Sequence, residues 1–378
     1  MAAGLDLSWF QHEVGAGASA FEPSNGRKQW QFPVQNPEQY THIRPALPAG
    51  VSRLVSADRL QLWEKLSFPA WFDNSMLNDF TLCELKGWYS HFKKIQIKVL
   101  NEHLHFGGAF AKALETARQS YFGEGAPLWR AEVAGLEALW SAFGNAQFHP
   151  DVIKTLDRLE AAYVSFLTTY PLDSDPVVPV ILSGKPAIEF GFAIPLPNVR
   201  HPETGEPILY VGRFDMLAQF QAAHWVYDDK TATSLGNQFQ FKWSLSPQMS
   251  GYIWAAQQYG HPVGGALVRG TGILKTEIKH QTVPTYRSAR QLEMWLARTE
   301  YYIARAIEAW RANSFTPAFN ESCSMYRGCQ YKMLCESNGN PSALIEQYYA
   351  ERNWDPMKRN QEQDDETVTV AGEFEQPM

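Results

Sequence analysis

The sequence predicts an α/β fold in which a mixed central β-sheet is flanked by helices, with a helical region before it and a cysteine-bearing region after it. Three observations lead there. The middle of the chain carries three β-rich runs, AIEFGFAIPL, ILYVGRFDMLAQF and AAHWVYDDKTAT, separated by turn material such as PETGEP. Amphipathic patterns of helical period stand on both sides of these runs. The resulting order of helix, three strands, helix, strand, helix builds helical layers over a mixed sheet.

Taken in order, residues 1–70 are rich in Pro, Gly, Asn and Gln without a sustained period, which predicts an extended N-terminal arm. Met76, Leu77, Phe80, Leu82 and Leu85 recur at helical spacing behind Ser75 as N-cap, and this short helix carries Cys83. FGGAFAKALETARQSYF predicts a helix entered through its glycine pair, with His103 and His105 ahead of it as ordinary loop or surface histidines. Trp129 to Phe143 and Val152 to Leu167 add two helices, a helical insertion over about 125–170. After the three strands come a helix at Pro247 to Tyr259, a strand at Gly264 to His280 and a long helix from Ser288 to Asn313. A cysteine segment at 320–337, a short helix at Ser342 to Ala350 and an acidic tail over 351–378 close the chain, and no internal repeat is present.

Composition bounds the function. The chain has 378 residues, 45% apolar and 13% aromatic with thirteen Trp, enough for one large elaborated domain of about 71–350. No basic-then-apolar leader opens the sequence and no apolar run approaches the roughly 18 residues that span a bilayer, so a cytoplasmic location is expected. Net charge is −7, but NQEQDDETVTVAGEFEQPM near the end holds six acids and no base, which leaves room for a local basic groove elsewhere. Three of the four cysteines fall within thirteen residues, too few and too clustered for a disulfide scaffold, which makes metal ligation the leading explanation.

Each middle run contains one acid in apolar surroundings: Glu189, Asp215 and Asp228. Carboxylates in such places are costly unless they are paired or bind a cation, so three on successive strands point to a divalent-metal site. Lys230, two residues after Asp228, shares its strand face because side chains alternate with period two. Oxygen ligands holding Mg²⁺ or Mn²⁺ beside an ammonium suit phosphodiester hydrolysis, with the metal activating water and the lysine orienting it or balancing charge.

GRFD at 212–215, DDKT at 228–231 and QMSGY at 248–252, in that order after an acid, resemble the PD-(D/E)XK nuclease superfamily and within it the RecB-like exonuclease branch. The resemblance covers roughly 75–340 and implies a restriction-endonuclease-like core. It implies Glu189, Asp215 and Asp228 as metal ligands, Lys230 as the catalytic lysine, Gln248 and Tyr252 as the supporting helix motif, Asp229 as spacer and Thr231 as a supporting residue. Cys83, followed some 240 residues later by Cys323, Cys329 and Cys335, is similar to the members of that branch with a [4Fe-4S] cluster, in which the cluster staples the two ends of the domain. The five-residue gaps depart from the closer first pair common there; Zn²⁺ in a Cys₄ site and unligated core cysteines stay open as alternatives. The usual G-x-x-x-H helix motif is also incomplete: the glycine can be Gly107, but Ala111 stands where the histidine would be, and Glu115 one turn on is the one candidate to compensate.

For DNA contact the basic run HFKKIQIK offers Lys93, Lys94 and Lys98, with Trp88, Tyr89, Phe92 and Trp243 as candidates to stack bases. The reading is a metal-dependent DNA exonuclease, acting on single strands or free ends, from a phage or mobile element, with a possible recombination partner protein. The alternative is a catalytically weak or inactive nucleic-acid-binding protein that retains the nuclease fold. A redox iron-sulfur protein is a third possibility, one that needs none of the carboxylates.

Overall fold

The computed structural model describes residues 65–99, 101–146, 148, 153–324, 328–337 and 341–352. The expected arm and acidic tail therefore fall almost wholly outside the described residues.

Strand β1 (Trp71–Phe72) leads into α1 (Asn74–Leu82). The N-cap is Asp73 rather than Ser75: its extended backbone turns its carboxylate onto the Met76 N–H at 2.6 Å, while Ser75 is already inside the first turn. Helix α2 (Glu84–Gly87) and a π-turn at Trp88–Phe92 reach β2 (Ile95–Ile97). Helix α3 (Glu102–Arg118) starts four residues earlier than expected, because the Asn101 side chain accepts the His103 and Leu104 N–H groups. His103 and His105 thus lie in its first turn and the glycine pair lies inside the helix. Helices α4 (Leu128–Phe143) and α5 (Leu156–Thr169) pack with α3 around Phe106, Phe110, Leu139 and Phe166.

Short strands β3 (Val178–Pro179), β4 (Ile181–Leu182) and β5 (Lys185–Pro186) precede the expected trio, β6 (Ile188–Arg200), β7 (Pro207–Phe220) and β8 (Ala223–Ala232). Helix α6 (Asn237–Ser244), not foreseen from the sequence, is followed by α7 (Pro247–Gln258), which Ser246 caps and Pro247 opens. The expected strand over 264–280 is a hairpin of β9 (Val263–Ile273) and β10 (Ile278–Thr285), whose turn Leu274–Glu277 contains no Gly, Pro or Asn to announce it. Helix α8 (Ala289–Arg311) opens with a capping box of Ser288 and Gln291. Helices α9 (Lys332–Glu336) and α10 (Ser342–Tyr348) follow, and the chain then turns at Tyr349 into β11 (Tyr349–Glu351), which pairs antiparallel with β2.

The main sheet is mixed, as expected. Its path is β1-β7-β8-β9-β10, with β3 and β6 also paired to β7. Hairpins join β7 to β8 and β9 to β10 antiparallel, whereas β8 and β9 run parallel because α6 and α7 form the crossover between them. One core joins Tyr210, Phe214, Val226 and Val268 of the sheet to Tyr252, Trp254 and Trp295 of α7 and α8; another gathers Met216, Tyr227 and Leu267 on the side of α3 and α5. No described helix is long and apolar enough to cross a membrane.

Candidate active site

The three acids stand at one level of three neighbouring strands. Register pairs Ile188 with Met216 and Phe190 with Phe214, which sets Glu189 beside Asp215; the pairing of Met216 with Tyr227 carries on to set Asp215 beside Asp228. Glu189 adopts φ 50°, left-handed for a non-glycine residue, inside an otherwise extended strand, so its side chain is re-aimed at a local backbone cost. Asp228 is 1% exposed, Glu189 is buried and Asp215 half-buried, while Lys230 keeps 30% of its side chain in solvent. The site therefore opens on the lysine side.

Each acid has a partner in the chain. Lys230 Nζ pairs with Asp228 Oδ2, Arg213 lies 3.5 Å from Glu189, and the Asp229 N–H donates to Asp215 Oδ2 at 2.7 Å. From α7, Gln248 Nε2 donates to Asp228 Oδ1 at 3.4 Å and to the Tyr252 hydroxyl at 3.1 Å, which brings the helix motif to the carboxylates. Burial, and next the Asp228 charge, push the Asp215 carboxyl well above its ordinary range; burial also raises Asp228, against the pull of Lys230. For Lys230 burial disfavours the charge, but Asp228 and Asp215 outweigh it and hold the ammonium protonated.

Among the described residues no three His, Cys, Asp or Glu side chains form a group that grips a metal ion as it stands. The donor chemistry nonetheless fits a hard divalent cation. Glu189, Asp215 and Asp228 offer oxygen alone, and the Asp215 carboxyl, driven upward by burial and then by Asp228, marks a place short of positive charge.

On the opposite face of β8 lies a buried network that sequence reasoning missed. Arg118, at the end of α3, donates to Asp229 Oδ2 at 2.6 Å and to the Tyr227 hydroxyl at 3.0 Å, and that hydroxyl donates to Asp229 Oδ1 at 2.6 Å. Asp229 is thus more than a spacer. Gly107 brings α3 close over β8, since a Cβ there would lie 3.5 Å from Thr231 Oγ1. Ala111, one turn on, is half-buried and offers a methyl group alone. Glu115 pairs with Lys112 at 2.9 Å.

The cysteines come from both ends of the described chain. Cys83 closes α1 and its Sγ accepts the Ala318 N–H at 3.4 Å; Cys323 ends a 3₁₀ turn, Cys329 donates its N–H to the Cys323 carbonyl, and Cys335 lies in α9. Burial first, then Cys83, Cys329 and Cys323, push the Cys335 thiol up to about 11; burial likewise raises Cys329, with Cys83 and Cys323 adding to it. The four thiols thus lie close enough for their charges to act on one another, while no three of them form a ready metal-binding group among the described residues; as donor chemistry, four thiolates would suit an iron-sulfur cluster or zinc.

The stacking candidates are corrected. Trp88, Tyr89, Phe92 and Trp243 are all buried in the core and cannot offer a ring face to a base. Of the lysines, Lys98 spends its ammonium on the Glu346 and Gln347 carbonyls, and Lys94 sits at φ 52° between the π-turn and β2. Lys93 follows that π-turn directly. All three flank β2, which pairs with β11 in a sheet separate from the carboxylates.

None of the curated proteins matches the chain. Among solved structures it is similar to a candidate exonuclease from Eubacterium rectale, with 12% identity, TM-score 0.44, and coverage of 74% of this chain and 92% of that one. It is also similar to the protein SSO0001, with 15% identity, TM-score 0.27, and coverage of 70% and 96%. The model of the PD-(D/E)XK nuclease superfamily matches residues 74–336, a stretch that runs from α1 to the last cysteine, and the chain belongs to that superfamily.

Proposed function

We propose that this nuclease is a Mg²⁺- or Mn²⁺-dependent DNA exonuclease of the RecB-like branch, acting in the cytoplasm on single strands or free ends. The observation that carries the reading is the alignment of Glu189, Asp215 and Asp228 on neighbouring strands with Lys230 beside Asp228. A divalent cation held by the three acids would supply Lewis-acid polarisation of the phosphoryl group. The chain's own residues do the rest. Lys230, charged and reaching solvent, orients the attacking water or balances charge that develops on the phosphate. Gln248 fixes the Asp228 carboxylate, with Tyr252 holding Gln248 in turn, and the Asp229 N–H fixes Asp215.

Cys83, Cys323, Cys329 and Cys335 would hold a [4Fe-4S] cluster that joins α1 to the C-terminal segment, a structural role because hydrolysis needs no electron transfer. Phage or mobile-element recombination or genome processing, with a recombination partner protein, is the setting that suits a nuclease of this branch. A binding protein without catalysis draws support from Ala111, but such a protein has no use for the Asp228–Lys230 pair.

Anaerobically purified wild type and Lys230→Ala, incubated with end-labelled single- and double-stranded DNA in Mg²⁺, Mn²⁺ and chelator, test the proposal. Degradation by wild type only with metal, abolished in Lys230→Ala, supports it, and the pattern of label release gives polarity. Intact, metal-loaded wild type that degrades nothing overturns it in favour of the binding protein. Iron, sulfide and zinc analysis of the same preparation identifies the group on the cysteines.

A further inference from the structure

Helix α6 is pinned beside the site by one face and leaves the other in water. Phe239 and Trp243, one turn apart, are buried with their rings edge-on at 5.5 Å. The Phe239 ring fills the space over Gly270, where a Cβ would come within 2.5 Å of it, and Gly270 is the β9 partner of Lys230. At the far end, Arg287 and Thr285 both donate to the Trp243 carbonyl, at 2.9 and 3.0 Å. The helix is therefore seated next to the lysine of the carboxylate row.

Its outer face is unusual for so polar a helix. Phe241 is 70% exposed and Leu245, just past the C-terminus, 71%. Lys242 is exposed, with its ammonium 4.9 Å from the Trp243 ring. An exposed ring next to a lysine, on a helix seated beside the acidic row, matches a strand that carries flat bases on a phosphate backbone. In a duplex most base faces are covered by their own neighbours, so the ring can take a base only where the strand is unpaired.

We propose that α6 is a docking ledge for unpaired DNA, with the Phe241 ring stacking on a base next to the scissile phosphate and Lys242 pairing with a phosphate of the same strand. The position of that phosphate rests on the nuclease reading above; the stacking itself does not. Binding is measured by fluorescence anisotropy on the anaerobically purified full chain in chelator. The probes are a short single-stranded DNA and a closed hairpin duplex. Phe241→Ala is expected to weaken single-strand binding by roughly tenfold, the scale of one lost base–aromatic stack, and to leave the hairpin unchanged. Phe241→Trp retains the wild-type affinity, and Met294→Ala, which removes an exposed apolar side chain on α8, changes neither probe. Lys242→Ala lowers the slope of log affinity against log salt by about 0.7, the share of one single-strand phosphate.

Equal binding of the single strand by wild type and Phe241→Ala overturns the proposal, as does equal weakening on both probes or a wild type that binds neither. The two readings separate cleanly. Phe241-dependent binding without cleavage in Mg²⁺ or Mn²⁺ removes the nuclease assignment and keeps the ledge; cleavage with binding indifferent to Phe241 removes the ledge alone.

Discussion

Replacing Arg118 with methionine tests the network under β8. The Arg118 and Asp229 side chains are 6% and 2% exposed, and the guanidinium also lies over the Tyr227 ring at 4.9 Å. Without it, the Asp229 carboxylate keeps the Tyr227 hydroxyl at 2.6 Å as its hydrogen-bond donor, with the Arg269 guanidinium 5.4 Å from the Tyr227 ring. Breaking a buried pair by removing one partner costs about 3–5 kcal/mol, a fifth or more of the roughly 5–15 kcal/mol that holds a typical domain together. Arg118→Met/Asp229→Asn removes the charge while an amide oxygen still accepts from Tyr227, so the double variant should regain about 2 kcal/mol over Arg118→Met. Urea unfolding followed by near-ultraviolet circular dichroism reads all three differences. A loss below about 1 kcal/mol for Arg118→Met, the range of an exposed ion pair, refutes the reasoning, and so does a double variant no more stable than the single one. DNA cleavage should fall together with stability, since the backbone of Asp229 holds Asp215.

Gln248→Ala should lower DNA cleavage by about 10- to 100-fold with little change in thermal midpoint, because it frees Asp228 without emptying the core; full activity refutes its role. Gly270→Ala should cost about 1–3 kcal/mol in urea unfolding, since its methyl meets the Phe239 ring and the Leu235 side chain. Asp79 gives a pH signature. Burial raises its carboxyl, but the His91 hydrogen bond and the Lys86 charge outweigh that and leave it below the ordinary 3.8. A depressed folded value means stability that is present above the unfolded pKa and lost as pH falls through the folded one. Thermal melts of Asp79→Asn should therefore lie below wild type from neutral pH down to about 4, and the gap should close in stronger acid. A gap independent of pH refutes the ion pairing.

How much of this was legible in the sequence depends on the range of the physics involved. Period-two alternation and the order of the motifs were enough to recover the strands that carry Glu189, Asp215 and Asp228, since strand patterning is local. The partners of those acids were not recoverable. Arg118 lies 111 residues from Asp229, and nothing in ETARQSYF distinguishes it from a surface arginine. Helix α6 was hidden because NQFQFKWS has only two core-facing residues, Phe239 and Trp243, too few to show a period. The same eight residues explain the mistaken stacking assignment: Trp243 is the larger aromatic, yet it is the anchor, and Phe241, two positions away, points outward. Sequence lists both rings, but only the packing of α6 against Gly270 decides which of them is free.

The motif D-D-K on β8 resolves into two overlapping sets because a strand faces two ways. Asp228 and Lys230 point toward α6 and α7, where Gln248 meets Asp228 and Phe239 packs over Gly270, the partner of Lys230; Tyr227 and Asp229 point the other way, into Arg118 on α3. The second aspartate is then neither a spacer nor a ligand in waiting. Its side chain clamps β8 to α3 while its N–H holds Asp215, so a single residue ties the rigid side of the sheet to the open one. That arrangement also bears on Ala111. With alanine at position 111, α3 contributes the Arg118 clamp, and on the metal-dependent reading proposed above selection among metals would fall to the oxygen donors of β6, β7 and β8, a set that would suit Mg²⁺ or Mn²⁺ rather than softer ions.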